Sequence, residues 1–91
     1  MRRYQELAEV EAQPQSDGSA RPLKFRAWNR DYLISEVLDY WCQDRQWWVR
    51  GADPEALRPV WMWRVKALGT RQAIVILRDV DRVWHVIGVE D

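Results

Sequence analysis

Val60-Trp61-Met62-Trp63-Arg64-Val65-Lys66 decides the fold. With the two-residue period of an extended chain, Trp61, Trp63 and Val65 share one face, and Met62, Arg64 and Lys66 share the other. The stretch from Gln72 to Arg78 alternates in the same way, and the five residues Ala67 to Arg71, with Gly69 and Thr70 among them, connect the two. If Lys66 faces Gln72, then Val65 meets Ala73, Trp63 meets Val75 and Trp61 meets Leu77, which gives one continuous apolar face. The reverse face sets Val60, Met62, Arg64 and Lys66 against Gln72, Ile74, Ile76 and Arg78, apolar in its middle and basic at its ends.

Asp79 to Arg82 reads as a turn into a further strand, Val83 to Val89, whose two parities are again both apolar. A strand with two apolar faces belongs either to a small closed barrel covered on its outside or to a subunit contact. A homodimer through Ile74, Ile76, Val83 and Ile87 is one version of the second option.

Upstream, Gln5 to Ala12, with acids between its apolar residues, is compatible with an acidic edge strand or one weak helix, and strand is the expectation. Gln13 to Pro22 contains Pro14, Asp17-Gly18 and Pro22, the composition of a mobile loop. Leu23 to Trp28 is the next expected strand, with Phe25 and Ala27 on one face, and Asn29-Arg30 offers a tight turn. Tyr32 to Trp41 then resumes, but Tyr32, Ile34, Leu38 and Tyr40 share one parity while Leu33, Val37 and Trp41 share the other. A bulge near Ser35 and Glu36, or strong coiling with both faces covered, explains the mixture; a helix from Ser35 to Cys42 is the competing reading. Trp47-Trp48-Val49 is expected to be a short strand with its tryptophans on opposite faces, one of them exposed in a monomer. Asp53 to Leu57 has Asp at the N-cap and Pro at the first helical position, the signature of one helical turn.

A chain of 91 residues forms a single small domain whose core must come from a few large side chains, and seven tryptophans supply them. Fourteen basic and fourteen acidic residues cancel, so no global field steers the molecule to nucleic acid or an anionic membrane. Locally the balance differs. The first twenty residues hold Glu6, Glu9, Glu11 and Asp17, whereas Arg58 to Arg78 holds five bases and no acid. The chain therefore divides into an acidic strand and flexible loop over 1–20 and a Trp-rich β domain over 21–91. The absence of an apolar leader or a long apolar run suits a soluble, cytoplasmic protein.

No catalytic constellation emerges. His85 and Cys42 are each the sole residue of their type, so neither a cysteine-based zinc site nor a disulfide framework exists in the sequence. His85 reads as a partly buried imidazole, Cys42 as a packing residue, and Asp79 with Asp81 as turn formers. No enzyme, metal or cofactor is expected. Two binding readings remain. Trp28, Trp47 and Trp48 with Arg64, Lys66 and Arg78 carry the stacking and phosphate-neutralising chemistry of a single-strand binder. The same residues also have the composition of a protein-interaction hot spot, and edge strands accept peptides by β-addition.

Arg21-Pro-Leu-Lys-Phe-Arg-Ala-Trp-Asn-Arg-Asp-Tyr32, Val37-Leu-Asp-Tyr-Trp41 and Trp47-Trp48 resemble a small bacterial domain family of unknown function. Trp61 to Lys66, Leu77-Arg78-Asp79 and Trp84-His85-Val86 resemble both that family and the C-terminal segment of ImuB, the catalytically inactive Y-family polymerase relative of the bacterial mutasome. Trp61 and Trp63 stand where the ImuB segment usually has paired Tyr, and Asn29 stands where it has Gly. The resemblance implies an accessory module in translesion synthesis or DNA repair, with a DNA polymerase or repair factor as partner. The expected architecture is all-β, a small SH3-like or related barrel of about five to seven short strands with one helical turn. The expected function is a noncatalytic interaction module, with weak single-stranded DNA binding or a structural homodimer as alternatives.

Overall fold

A computed structural model describes residues 2–43 and 59–90. Within them the strands β1 (Arg2–Pro14), β2 (Ala20–Ala27), β3 (Arg30–Gln43), β4 (Val60–Leu68), β5 (Gln72–Val80) and β6 (Val83–Glu90) follow in chain order around a closed antiparallel barrel. The described residues are thus all-β, in keeping with the doubly apolar strands. β1 pairs with β2 on one side and β6 on the other, so the acidic first strand is the stave that closes the barrel. The expected strand at Trp47 and Trp48 and the helical turn at Asp53 lie outside the described residues.

β4 sends Trp63, Val65 and Ala67 into the core, where they meet Leu77 and Val75 of β5, Trp84 and Val86 of β6, and Phe25 and Ala27 of β2. Burial of one tryptophan removes roughly 150–250 Å² from water, about 4–6 kcal/mol of transfer free energy, so Trp63 and Trp84 dominate the interior of this small domain. The faces match the sequence pattern, but the register does not. Lys66 pairs with Ile74 rather than Gln72, Val65 with Val75, Trp63 with Leu77 and Trp61 with Asp79. A slip of two residues preserves side-chain parity, which is why alternation alone does not distinguish the two registers. β4 also runs further than expected and leaves only Gly69 to Arg71 as the connection. A Cβ on Gly69 would come within 2.9 Å of the Tyr32 ring, so glycine lets that ring pack over the turn.

The mixed parity of β3 arises from two bulges. Ile34 pairs with Ala67 and Glu36 with Lys66, which leaves Ser35 as the extra residue; Val37 pairs with Val65 and Asp39 with Arg64, which leaves Leu38. Each bulge exchanges the inward and outward sets, so Tyr32, Ile34, Val37 and Tyr40 all belong to the inner side. The helical alternative for Ser35 to Cys42 is thereby replaced by strand. In β2 the same device frees Leu23, between the pairs Glu11–Lys24 and Ala12–Pro22.

Two hairpins close through two-residue turns with both residues left-handed: Trp28 (φ 52°) with Asn29 (φ 58°), and Asp81 (φ 55°) with Arg82 (φ 66°). This mirror-image turn matches the right-handed twist of the strands, and it moves the first turn one residue upstream of Asn29-Arg30. The expected loop over Gln13 to Pro22 also shortens, because both strands extend into it. Its remainder is held by Ser19, whose backbone N–H donates to Asp17 Oδ1 at 2.9 Å, and by Gln15 N–H donating to the Ser19 carbonyl at 2.8 Å. Asn29 occupies the second turn position, where glycine relieves the left-handed cost. Asn29→Gly is expected to stabilise the domain by about 0.5 kcal/mol, read as a raised urea midpoint with unchanged slope.

Candidate interaction surface

The six residues singled out from the sequence do not converge. Arg64, Lys66 and Arg78 lie on the outer face of β4 and β5, but each is engaged or enclosed. Arg64 Nη2 sits 2.9 Å from Glu90 Oε2, and Lys66 Nζ 3.2 Å from Glu36 Oε2. Arg78 is half-buried opposite Met62 and His85, and its Nε is enclosed with no acceptor among the described residues. Arg64, Lys66 and Arg78 thus do not present a row of open cations. Trp28 is exposed on a different hairpin, the β2–β3 turn, where its ring meets Tyr4 edge-on at 5.1 Å. Trp47 and Trp48 lie outside the described residues.

The structure exposes another set instead. Leu33 (60 % exposed) on β3 pairs directly with Leu68 (47 %) on β4, and the bulged Leu23 lies beside Lys24, the partner of Leu33 on β2. Leu33 and Leu68 line an open groove of about 700 Å³ that continues over β2 and β1. Its charged rim holds two ion pairs, Lys24 with Glu11 at 3.2 Å and Arg26 3.8 Å from Asp31, and one further acid, Glu9. Exposed pairs of this kind contribute little stability, yet they leave an apolar floor whose two bordering bases are already engaged. Sequence reasoning missed this patch because Leu33 was one member of an unresolved parity and Leu68 was assigned to a connection.

At the opposite end of the barrel an aromatic stack reaches solvent. The Tyr40 ring lies parallel to Trp63 at 4.3 Å and tilted to Trp61 at 6.2 Å. Its hydroxyl donates to Asp17 Oδ2 at 3.0 Å, tying β3 to the β1–β2 turn. Hydrogen bonds from Ser19 hold the Asp17 carboxyl below its ordinary value, and the same carboxylate raises the Tyr40 phenol. Next to this stack, Asp79 is fully buried at the end of β5. Its Oδ1 accepts the Arg82 backbone N–H at 2.7 Å and its Oδ2 the Arg82 guanidinium at 2.8 Å, while Arg82 Nη2 donates to the Gly18 carbonyl at 3.0 Å. Burial raises the Asp79 pKa, and Arg82 offsets this in part. The Asp79 and Asp81 turn thus uses its first carboxylate to fix the left-handed hairpin.

Among the described residues no group of three or more His, Cys, Asp or Glu side chains is placed to hold a metal ion, and no helix is long and apolar enough to cross a membrane. Ile74, Ile76 and Ile87 are half-buried on the outside of the barrel, and Val83 is exposed. Compared with protein families, curated proteins and solved structures, the chain matches none.

Proposed function

We propose that this barrel is a noncatalytic protein-interaction module. The observation that carries the reading is the Leu33–Leu68 surface, an exposed apolar floor whose two bordering bases are already paired with acids. A protein partner gains from covering such a floor, because burial of apolar area supplies the driving force while a polar, charged rim supplies register. A polyanion gains little from it. The Arg64 and Lys66 pairings with Glu90 and Glu36 weigh in the same direction, since phosphate contacts would have to displace carboxylates first. The resemblance of Trp61 to Lys66 and Trp84 to Val86 to the ImuB C-terminal segment suggests the setting: a cytoplasmic accessory to translesion synthesis, with a Y-family polymerase or a sliding clamp as partner.

Calorimetric titration of the chain against a purified Y-family polymerase and a purified clamp tests this. Saturable binding that persists as salt is raised is expected, and Leu33→Asp is expected to weaken it by about tenfold or more while leaving the fold intact, because Leu33 is exposed. Absence of binding to either protein sets aside the translesion setting; binding indifferent to Leu33→Asp places the interface elsewhere.

A further inference from the structure

Two rows of outward side chains cross the groove floored by Leu33 and Leu68. One runs Glu11, Lys24, Leu33 and Leu68 from β1 to β4, and the other Glu9, Arg26 and Asp31 from β1 to β3. Leu33–Leu68 stands at the opposite end of the β3–β4 ladder from Gln43–Val60, and every member of both rows is among the described residues.

The rows set the acids Glu9, Glu11 and Asp31 against the bases Lys24 and Arg26. Lys24 is taken by Glu11, and Arg26 leans to Asp31 rather than to Glu9, its register partner on β1. Glu9 therefore has no cation within ion-pair distance among the described residues. If Arg26 turned to Glu9, Asp31 would be left over instead, so three acids against two bases leave one negative charge uncompensated in either arrangement. Glu9 and Arg26 also line a smaller hollow of about 140 Å³ beside Leu7 and Trp28. Leu7 is 63 % exposed and Trp28 39 %. An acid next to an apolar side chain and an indole suits a base on a long aliphatic stem: the stem lies along Leu7, the head reaches Glu9, and Trp28 adds cation–π contact.

We infer that this groove accepts an extended segment of a partner protein carrying a bulky apolar side chain and, four residues from it, a Lys or Arg. The apolar side chain covers Leu33 and Leu68, and the base meets Glu9. With strands roughly 4.8 Å apart and residues roughly 3.3 Å apart along each, Glu9 stands roughly 12 Å from Leu33, a span that four residues of extended chain cover at about 13 Å with both side chains on one face. Charge favours such a segment over a second copy of this chain, because two copies face to face across the groove would set one uncompensated acid against another. The inference rests on the interaction-module reading and names the segment that this surface recognises.

The test titrates the isotope-labelled whole chain with three acetylated, amidated peptides and follows amide and leucine methyl shifts by NMR. Thr-Leu-Thr-Val-Thr-Arg-Thr has its Leu and Arg four residues apart. The second peptide has Glu for Arg, and the third, Thr-Leu-Arg-Val-Thr-Thr-Thr, keeps composition and charge but turns the Arg to the opposite face from Leu. Saturable shifts at Leu33, Leu68 and Glu9 are expected, with the first peptide bound about threefold or more tightly than either of the others. Glu9→Gln is expected to abolish that preference, and Leu68→Ser to weaken all three peptides alike; both residues are exposed, so the fold is kept. Absence of shifts at millimolar peptide, equal affinity for the three, or a preference that survives Glu9→Gln overturns the inference, as does a concentration-dependent dimer of the free chain through Leu33 and Leu68. Titration of the polymerase and clamp keeps the two readings apart. Binding there that Leu33→Asp weakens, with no peptide preference, leaves the module standing and removes only the segment; the predicted peptide preference with neither protein bound keeps the segment and removes the translesion setting.

Discussion

Trp63→Ala is expected to destabilise the domain by about 3–5 kcal/mol, enough to leave a small barrel largely unfolded at room temperature. Trp63 is 1 % exposed, stacks on Tyr40 and sits between the register partners Tyr40 and Leu77, so no neighbouring element can close over the space it leaves. Its indole N–H, however, is buried without an acceptor among the described residues. A donor desolvated in this way opposes folding by about 1–3 kcal/mol, which phenylalanine removes. Trp63→Phe is accordingly expected to cost only about 1 kcal/mol, the lost volume being largely balanced by the absent donor. Urea denaturation of the two variants checks both figures. Equal losses for Ala and Phe would mean that the indole N–H does have a partner.

Asp79→Ala is expected to cost about 2–4 kcal/mol, because it leaves the Arg82 backbone N–H without its acceptor and removes what holds Arg82 in its left-handed conformation. Arg82→Gly separates the terms. Glycine suits a φ of 66° better than arginine does, so relief of the turn alone would stabilise the protein; loss of the guanidinium from a fully buried carboxylate predicts net destabilisation. The contrast with Asn29→Gly, at the equivalent position of the other hairpin, is diagnostic. The pH dependence has a defined sign. Burial raises the folded-state pKa of Asp79 above the ordinary 3.8, so the native state binds more protons than the unfolded chain between those two values. Its contribution to stability is therefore full below 3.8 and declines as pH rises through the folded-state pKa. The stability gap between the natural chain and Asp79→Ala is expected to narrow over that window and stay level above it. A gap that widens with rising pH would show that Arg82 outweighs burial.

Alternation in Val60 to Lys66 and Gln72 to Arg78 was sufficient to assign inner and outer faces, because side-chain parity is a local property of extended chain. Register is not local. Trp63 reaches Leu77 rather than Val75 because β4 continues through Leu68 before turning, and both registers bury the same residues. The parity conflict within Tyr32 to Trp41 did signal a bulge, but the second one at Leu38 had no separate mark in the sequence. Site residues were less legible for a related reason. A run of bases from Arg58 to Arg78 looks open when read along the chain, yet Glu36 and Glu90 come from β3 and β6, strands that only closure of the barrel brings beside Lys66 and Arg64. The Leu33–Leu68 patch likewise forms across two strands distant in sequence.

The most direct test of a surface built for protein rather than nucleic acid is fluorescence anisotropy of a labelled DNA single strand titrated with the chain at low and at physiological salt. Carboxylates already engaged with Arg64 and Lys66 predict no saturable rise in anisotropy at either salt. A saturable rise at low salt that collapses as salt is added, and that Arg64→Ala or Lys66→Ala diminishes, would contradict the account and make the outer face of β4 and β5 a phosphate-binding surface.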